Sequence, residues 1–116
     1  MTRERTMLAD LSGMACTPAA PATIESALLN RARRHRRKRR FRKAAVALSL
    51  LANRTGEARH YAMLGAMWMQ AGRSIDALTA LRQAIFLHRR NGAFERARTV
   101  ARLVARFEPD RPLRAA

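Results

Sequence analysis

The stretch ARHYAMLGAMWMQAGRSIDALTALRQAIFLHR, residues 58–89, decides the fold. Its apolar residues recur at three- and four-residue spacing, the period of a helix with one buried face. The recurrence breaks at Gly72. Glycine adopts at low cost the left-handed conformation in which many helices end. Two amphipathic helices follow from this, over about residues 58–71 and about 74–88. Ser74 stands where a side-chain oxygen caps the second helix by accepting a bond from an otherwise unpaired amide.

Tyr61, Leu64, Gly65 and Trp68 follow the spacing aromatic-x2-Leu-Gly-x2-aromatic, and Ala77, Leu81 and Ala84 come after the turn. Gly65 and Ala77 are small where the two helices would touch, while Tyr61, Leu64, Trp68 and Leu81 fill the space around that contact. The pattern resembles the tetratricopeptide repeat (TPR), a helix-turn-helix of about 34 residues reading W-x2-L-G-x2-Y, then A-x3-F, then P. The chain departs from it in three ways. The two aromatics exchange types, Leu81 replaces an aromatic, and Arg89 stands in place of the proline.

Moving towards the N-terminus, Phe41, Ala44, Ala45, Leu48 and Leu51 precede Ser74, Ala77, Leu78, Leu81 and Ala84 at one constant offset. That offset is close to the TPR period. It places a first repeat at about residues 24–57 and a turn near Lys38–Arg40, with Arg39 and Arg40 where glycine is usual. No glycine or proline forces this turn, so one continuous helix over residues 24–53 stays open. The hairpin is favoured because a continuous helix exposes Val46, Leu48, Leu50 and Leu51. Thr23 offers a capping oxygen to the first helix, with Glu25 and Ser26 in its first turn. Ile24, Ala27 and Leu28 form its apolar stripe, and Asn53–Gly56 closes the second helix.

Moving towards the C-terminus, Arg89–Gly92 ends the fourth helix. AFERARTVARLVARF, residues 93–107, reads as a fifth, with Phe94, Ala97, Val100, Ala101, Val104 and Phe107 on one stripe. The expected fold is all-α: antiparallel helix-turn-helix repeats, a TPR-like α-solenoid of about two repeats plus a C-terminal capping helix. The domain spans residues 23–108, between a flexible arm at 1–22 and a flexible tail at 109–116.

The formal net charge is +16 over 116 residues, and only Lys38 and Lys43 are lysines. Residues 31–43, RARRHRRKRRFRK, hold ten arginines and lysines and no acid. The lone Cys16 cannot form an internal disulfide, which suits a reducing cytosol. No run approaches the roughly 18 apolar residues of a membrane span. Asp10 interrupts the apolar run that a secretory signal needs.

No catalytic constellation emerges. The acids are few and scattered, there is no Gly-rich phosphate loop, and His35, His60 and His88 are far apart. No metal site or cofactor is expected, and the protein is read as no enzyme. His35 lies in the basic run, whose charges depress its protonation.

What the TPR resemblance implies is a concave face built from the first helix of each pair. Its positions are Arg59, Ala62, Met63, Ala66, Met69 and Gln70 in the central repeat and Ser26, Leu29, Asn30, Arg33, Arg36 and Arg37 in the first. One end is apolar and methionine-rich; the other is cationic. Methionine moulds to varied apolar partners, and arginine binds carboxylates in a bidentate way. The implied ligand is an amphipathic, partly acidic helix of another protein. Some family members clamp a terminal carboxylate with lysine and asparagine on this face; Ala62 and Ala66 stand at those places here.

By size, repeat count and apolar groove the chain also resembles the small TPR-type chaperones of bacterial type III secretion systems, which hold export components in the cytoplasm. The competing class is nucleic-acid binding through residues 31–43. A third is docking of the same cluster on an anionic membrane.

Overall fold

The computed structural model describes residues 23–107. They form five helices: α1 (Ile24–Arg37), α2 (Phe41–Thr55), α3 (Ala58–Gln70), α4 (Ser74–Arg90) and α5 (Phe94–Phe107). The described residues contain no strand. The main packing runs between consecutive helices, α1 on α2, α2 on α3, α3 on α4 and α4 on α5. The proposed arm and tail lie outside the described residues.

Residues 24–53 are a hairpin and not one helix, and the turn falls where the constant offset puts it. Lys38 N–H donates to Arg34 O (3.1 Å), Arg39 N–H to Arg36 O (2.9 Å) and Arg40 N–H to His35 O (2.8 Å). The same three bonds recur in the next hairpin, from Ala71 to Met67 (2.9 Å), Gly72 to Met69 (3.1 Å) and Arg73 to Trp68 (2.8 Å). They recur again from Asn91, Gly92 and Ala93 to Leu87, Arg89 and His88. In each turn the last bond spans six residues and satisfies a carbonyl that the helix leaves unpaired. The middle residue is left-handed each time: Arg39 at φ 60°, Gly72 at φ 79° and Gly92 at φ 78°.

The helix starts differ in how they are capped. Thr23 Oγ1 accepts from Ser26 N–H at 2.9 Å, as expected of a capping threonine. Glu25 reaches across the hairpin to Arg54, 3.4 Å away. Ser74 is not a cap. The six-residue bond draws Arg73 into the capping position, no side chain bonds the free amides, and Ser74 is the first helical residue. Arg73 instead pairs with Asp76 at 2.8 Å, which puts a carboxylate in the first turn, at the positive end of the helix.

The core is narrow and alanine-rich. A first cluster joins Leu28 and Ala32 of α1, Ala45, Ala47, Leu48 and Leu51 of α2, Leu64 of α3 and Ala80 of α4. A second joins Leu81 and Ala84 of α4 to Val100 of α5. Small side chains let the helices approach closely, and Gly65 marks a tight point. A Cβ built there would lie 2.5 Å from Leu81 Cδ2 and 3.2 Å from the Ala77 carbonyl oxygen. Two stripes differ from expectation. On α1 the buried residues are Leu28 and Ala32, while Ile24 and Ala27 are exposed. On α5 Ala97 and Val100 are buried, while Phe94 is 61% exposed.

Candidate interaction groove and the divided basic run

The hairpin turn divides residues 31–43 between two helices, and helical twist divides the α1 part again. At 3.6 residues per turn, Arg33 points nearly opposite to Arg31 and His35, while Arg36 lies about 140° from Arg31 and about 100° from His35. Arg33 and Arg36 line a small pocket of about 90 Å³ with Ala32, Leu48, Met63, Ala66 and Met67. This pocket between α1 and α3 gathers four of the expected groove residues: Arg33, Arg36, Met63 and Ala66. Its floor is apolar and two guanidinium groups edge it.

The other expected groove residues are spread more widely. Leu29 is half-buried and packs on the first cluster. Arg37 is exposed outside the pocket. Arg59 is exposed and its Nε pairs with Glu57 at 2.7 Å. Gln70 is exposed at the end of α3. Ala62 and Met69 pack against the second cluster, the one that α5 helps to build. Met67 packs on the first cluster and also lines the pocket. The methionines are thus divided, Met63 and Met67 at the pocket and Met69 on the second cluster.

The residues expected to pack one helix of a pair against the other differ in burial. Leu64, Gly65, Ala77, Leu81 and Ala84 are buried. Tyr61 is half-buried, touches both clusters, and its hydroxyl donates to Asn53 Oδ1 at 3.4 Å. Trp68 packs on the first cluster with the Arg73 guanidinium 5.3 Å above its ring. Arg39 likewise covers Phe41 at 5.6 Å, so the aromatic ring within the basic run is partly occupied by its neighbour.

Two histidines have environments that matter. His60 is buried, and its Nδ1 lies 2.7 Å from Thr55 Oγ1. The Thr55 hydroxyl donates to Leu51 O at 3.1 Å, so its oxygen is left to accept from His60 Nδ1–H. Burial holds the protonation of His60 below the ordinary histidine range; Glu57 opposes this and Arg59 adds to it. His35 is also lowered, first by burial and then by Lys43, Arg40, Arg34 and Arg31. Its Nδ1 is covered and has no hydrogen-bond partner. The basic run anticipates the direction for His35 through its charges but not the burial that leads it. For His60 the available signal is Thr55, five positions earlier at the end of α2.

Among the described residues no group of three or more histidine, cysteine or acidic side chains gathers at one point. No described helix is long and apolar enough to cross a membrane. No protein-family model matches the chain, and neither a curated protein nor a solved structure matches it.

Proposed function

We propose that the chain is a non-catalytic interaction module, an adaptor or chaperone of TPR-like hairpins, that holds an amphipathic and partly acidic helix of a partner protein. The observation that carries this reading is the pocket in which Arg33 and Arg36 edge an apolar floor of Met63, Ala66, Met67 and Leu48. A helix with an apolar stripe beside one or two carboxylates satisfies both halves of that surface. The same turn within α1–α2 and within α3–α4, with a different turn at Gly56 between the two hairpins, supports reading them as two repeats, with α5 joined to α4 by that turn as the cap. Within this reading, a bacterial cytoplasmic chaperone for a type III secretion component is the narrower proposal, on the chain's size and its apolar groove.

The test is capture from the native host at about 150 mM salt, which screens exposed charges beyond roughly 8 Å. Nuclease is added, and any partner's amphipathic segment is then titrated as a synthetic helix. Near-stoichiometric capture that Met63→Glu abolishes, with the helical circular-dichroism signal unchanged, supports the groove. Capture unaffected by Met63→Glu rejects it. Met69→Glu is a poor probe, because Met69 packs on the second cluster and its charge would disturb folding.

Nucleic-acid binding is the second reading. No ion pair among the described residues involves residues 31–43, which leaves their charges available to phosphates. Phe41 lies under Arg39, so phosphate contact and not base stacking would carry such binding.

A further inference from the structure

The outer side of the first hairpin carries a cleft of about 330 Å³ between α1 and α2. Arg31, His35, Arg42, Lys43, Val46 and Leu50 line it. Two observations there are independent of the groove. Arg31, Arg42 and Lys43 are exposed and have no ion pair among the described residues. Among them stand two aliphatic side chains one helical turn apart, Val46 at 53% and Leu50 at 49% exposure. Arg34 and Arg40 also lie close enough to act on His35, so the positive field extends beyond the cleft.

We propose that this face docks on an anionic lipid bilayer, with the cations at the headgroup phosphates and Val46 and Leu50 in the interface between them. Basic clusters are drawn to anionic leaflets, and long cationic side chains keep their heads at the phosphates while their stems cover apolar groups. An apolar pair ringed by cations gains from a surface that is both anionic and partly apolar. A nucleic acid would use the cations but leave Val46 and Leu50 in water. Because Arg33 and Arg36 line the α1–α3 pocket while Arg31 and His35 line the α1–α2 cleft, a docked chain keeps its groove open to a partner.

The test is flotation of the full chain with phosphatidylcholine vesicles, with and without about one third phosphatidylglycerol, at about 150 mM salt. The expected result is flotation with the anionic vesicles only. Arg42→Gln with Lys43→Gln weakens it about 25-fold, at about fivefold per basic residue near the surface. Val46→Ser with Leu50→Ser leaves the charge unchanged and weakens it about tenfold through the lost apolar contact. Ile75→Ser, at an exposed site on α4, leaves it unchanged and serves as the control. All four substituted sites in the cleft are exposed, and circular dichroism checks that each variant folds. No flotation at this salt overturns the proposal. So does flotation that the Val46 and Leu50 pair does not affect, since charge alone would then explain it. Displacement from the vesicles by a DNA duplex whose own binding ignores that pair would assign the face to nucleic acid and overturn it too.

Discussion

Arg39 and Gly72 hold the same turn position in successive hairpins, at φ 60° and φ 79°, with the same pattern of backbone hydrogen bonds around them. A non-glycine residue in that conformation costs about 1–2 kcal/mol, because its Cβ crowds the following carbonyl. The first hairpin therefore carries a strain that the second does not. Its Arg39 recovers part of the cost over Phe41, by about 0.5–1 kcal/mol for an exposed cation–π contact. Arg39→Gly is expected to stabilise the chain by about 0.5–1 kcal/mol, and Gly72→Ala to destabilise it by about 1 kcal/mol. Urea denaturation followed by circular dichroism measures both. A loss of stability in Arg39→Gly would show that the contact with Phe41 outweighs the strain.

Gly65→Ala tests the close approach of α3 and α4. The added methyl would meet Leu81 Cδ2 at 2.5 Å and Leu81 Cγ at 2.6 Å, and Leu81 is fully buried with little room to move. Overpacking of this kind costs about 1–3 kcal/mol. Because the clash is with Leu81, the costs of Gly65→Ala and Leu81→Ala should not add. The double variant is expected to be more stable than the sum of the two single changes predicts. Additive costs would place the strain of Gly65→Ala on the Ala77 carbonyl instead.

The helices and most of their ends were legible because apolar spacing and left-handed glycines are local signals. The Lys38–Arg40 turn was legible only through its constant offset from the turn at Gly72, since Arg39 is a residue that ordinarily avoids φ 60°. The TPR resemblance implies that Met63, Ala66, Arg33 and Arg36 share one face, and they line one pocket. It does not foresee that Met69 and Ala62 pack on another cluster, because a helix face does not reveal what α5 helps to build. Ser74 failed as a cap for a related reason. The six-residue hydrogen bond of the turn, which no propensity encodes, moves the capping position one place earlier, to Arg73. The outer cleft was hidden because residues 31–43 read as one run of charge until the hairpin divides it.

Acid is expected to weaken the fold through its histidines. Burial lowers the proton affinity of His60 in the folded chain, whereas the unfolded chain takes up the proton near pH 6.5. The contribution is complete above that value and is lost as the pH falls from 6.5 towards the lower folded value. His35 adds with the same sign, through burial and the cations Lys43, Arg40, Arg34 and Arg31. The urea midpoint should therefore be lower at about pH 5 than at about pH 7.5. His60→Gln and His35→Gln should each flatten that dependence. His60→Gln also costs about 1 kcal/mol at neutral pH where its bond to Thr55 is not reproduced. An unchanged pH dependence in both variants would trace acid sensitivity to the carboxylates.

The division of the basic run gives the sharpest separation of roles. Arg33 and Arg36 edge the α1–α3 pocket, while Arg31, Arg42 and Lys43 edge the outer cleft. If the groove receives an acidic amphipathic helix, Arg33→Gln with Arg36→Gln removes two contacts to carboxylates. At about 0.2–1 kcal/mol for each exposed pair, affinity for a captured helix falls by about two- to thirtyfold. Arg31→Gln with Arg42→Gln removes the same formal charge from the other side of the hairpin and should leave that affinity within about twofold. Titrating one helical peptide against both variants over a range of salt concentrations makes the comparison. The loss in the first variant should shrink as salt rises, because exposed pairs are screened. Equal losses in the two variants would mean that the peptide responds to net charge and not to the groove. A loss in the first variant that persists unchanged at high salt would point to altered packing around Ala32 and Leu48, the buried residues behind the pocket.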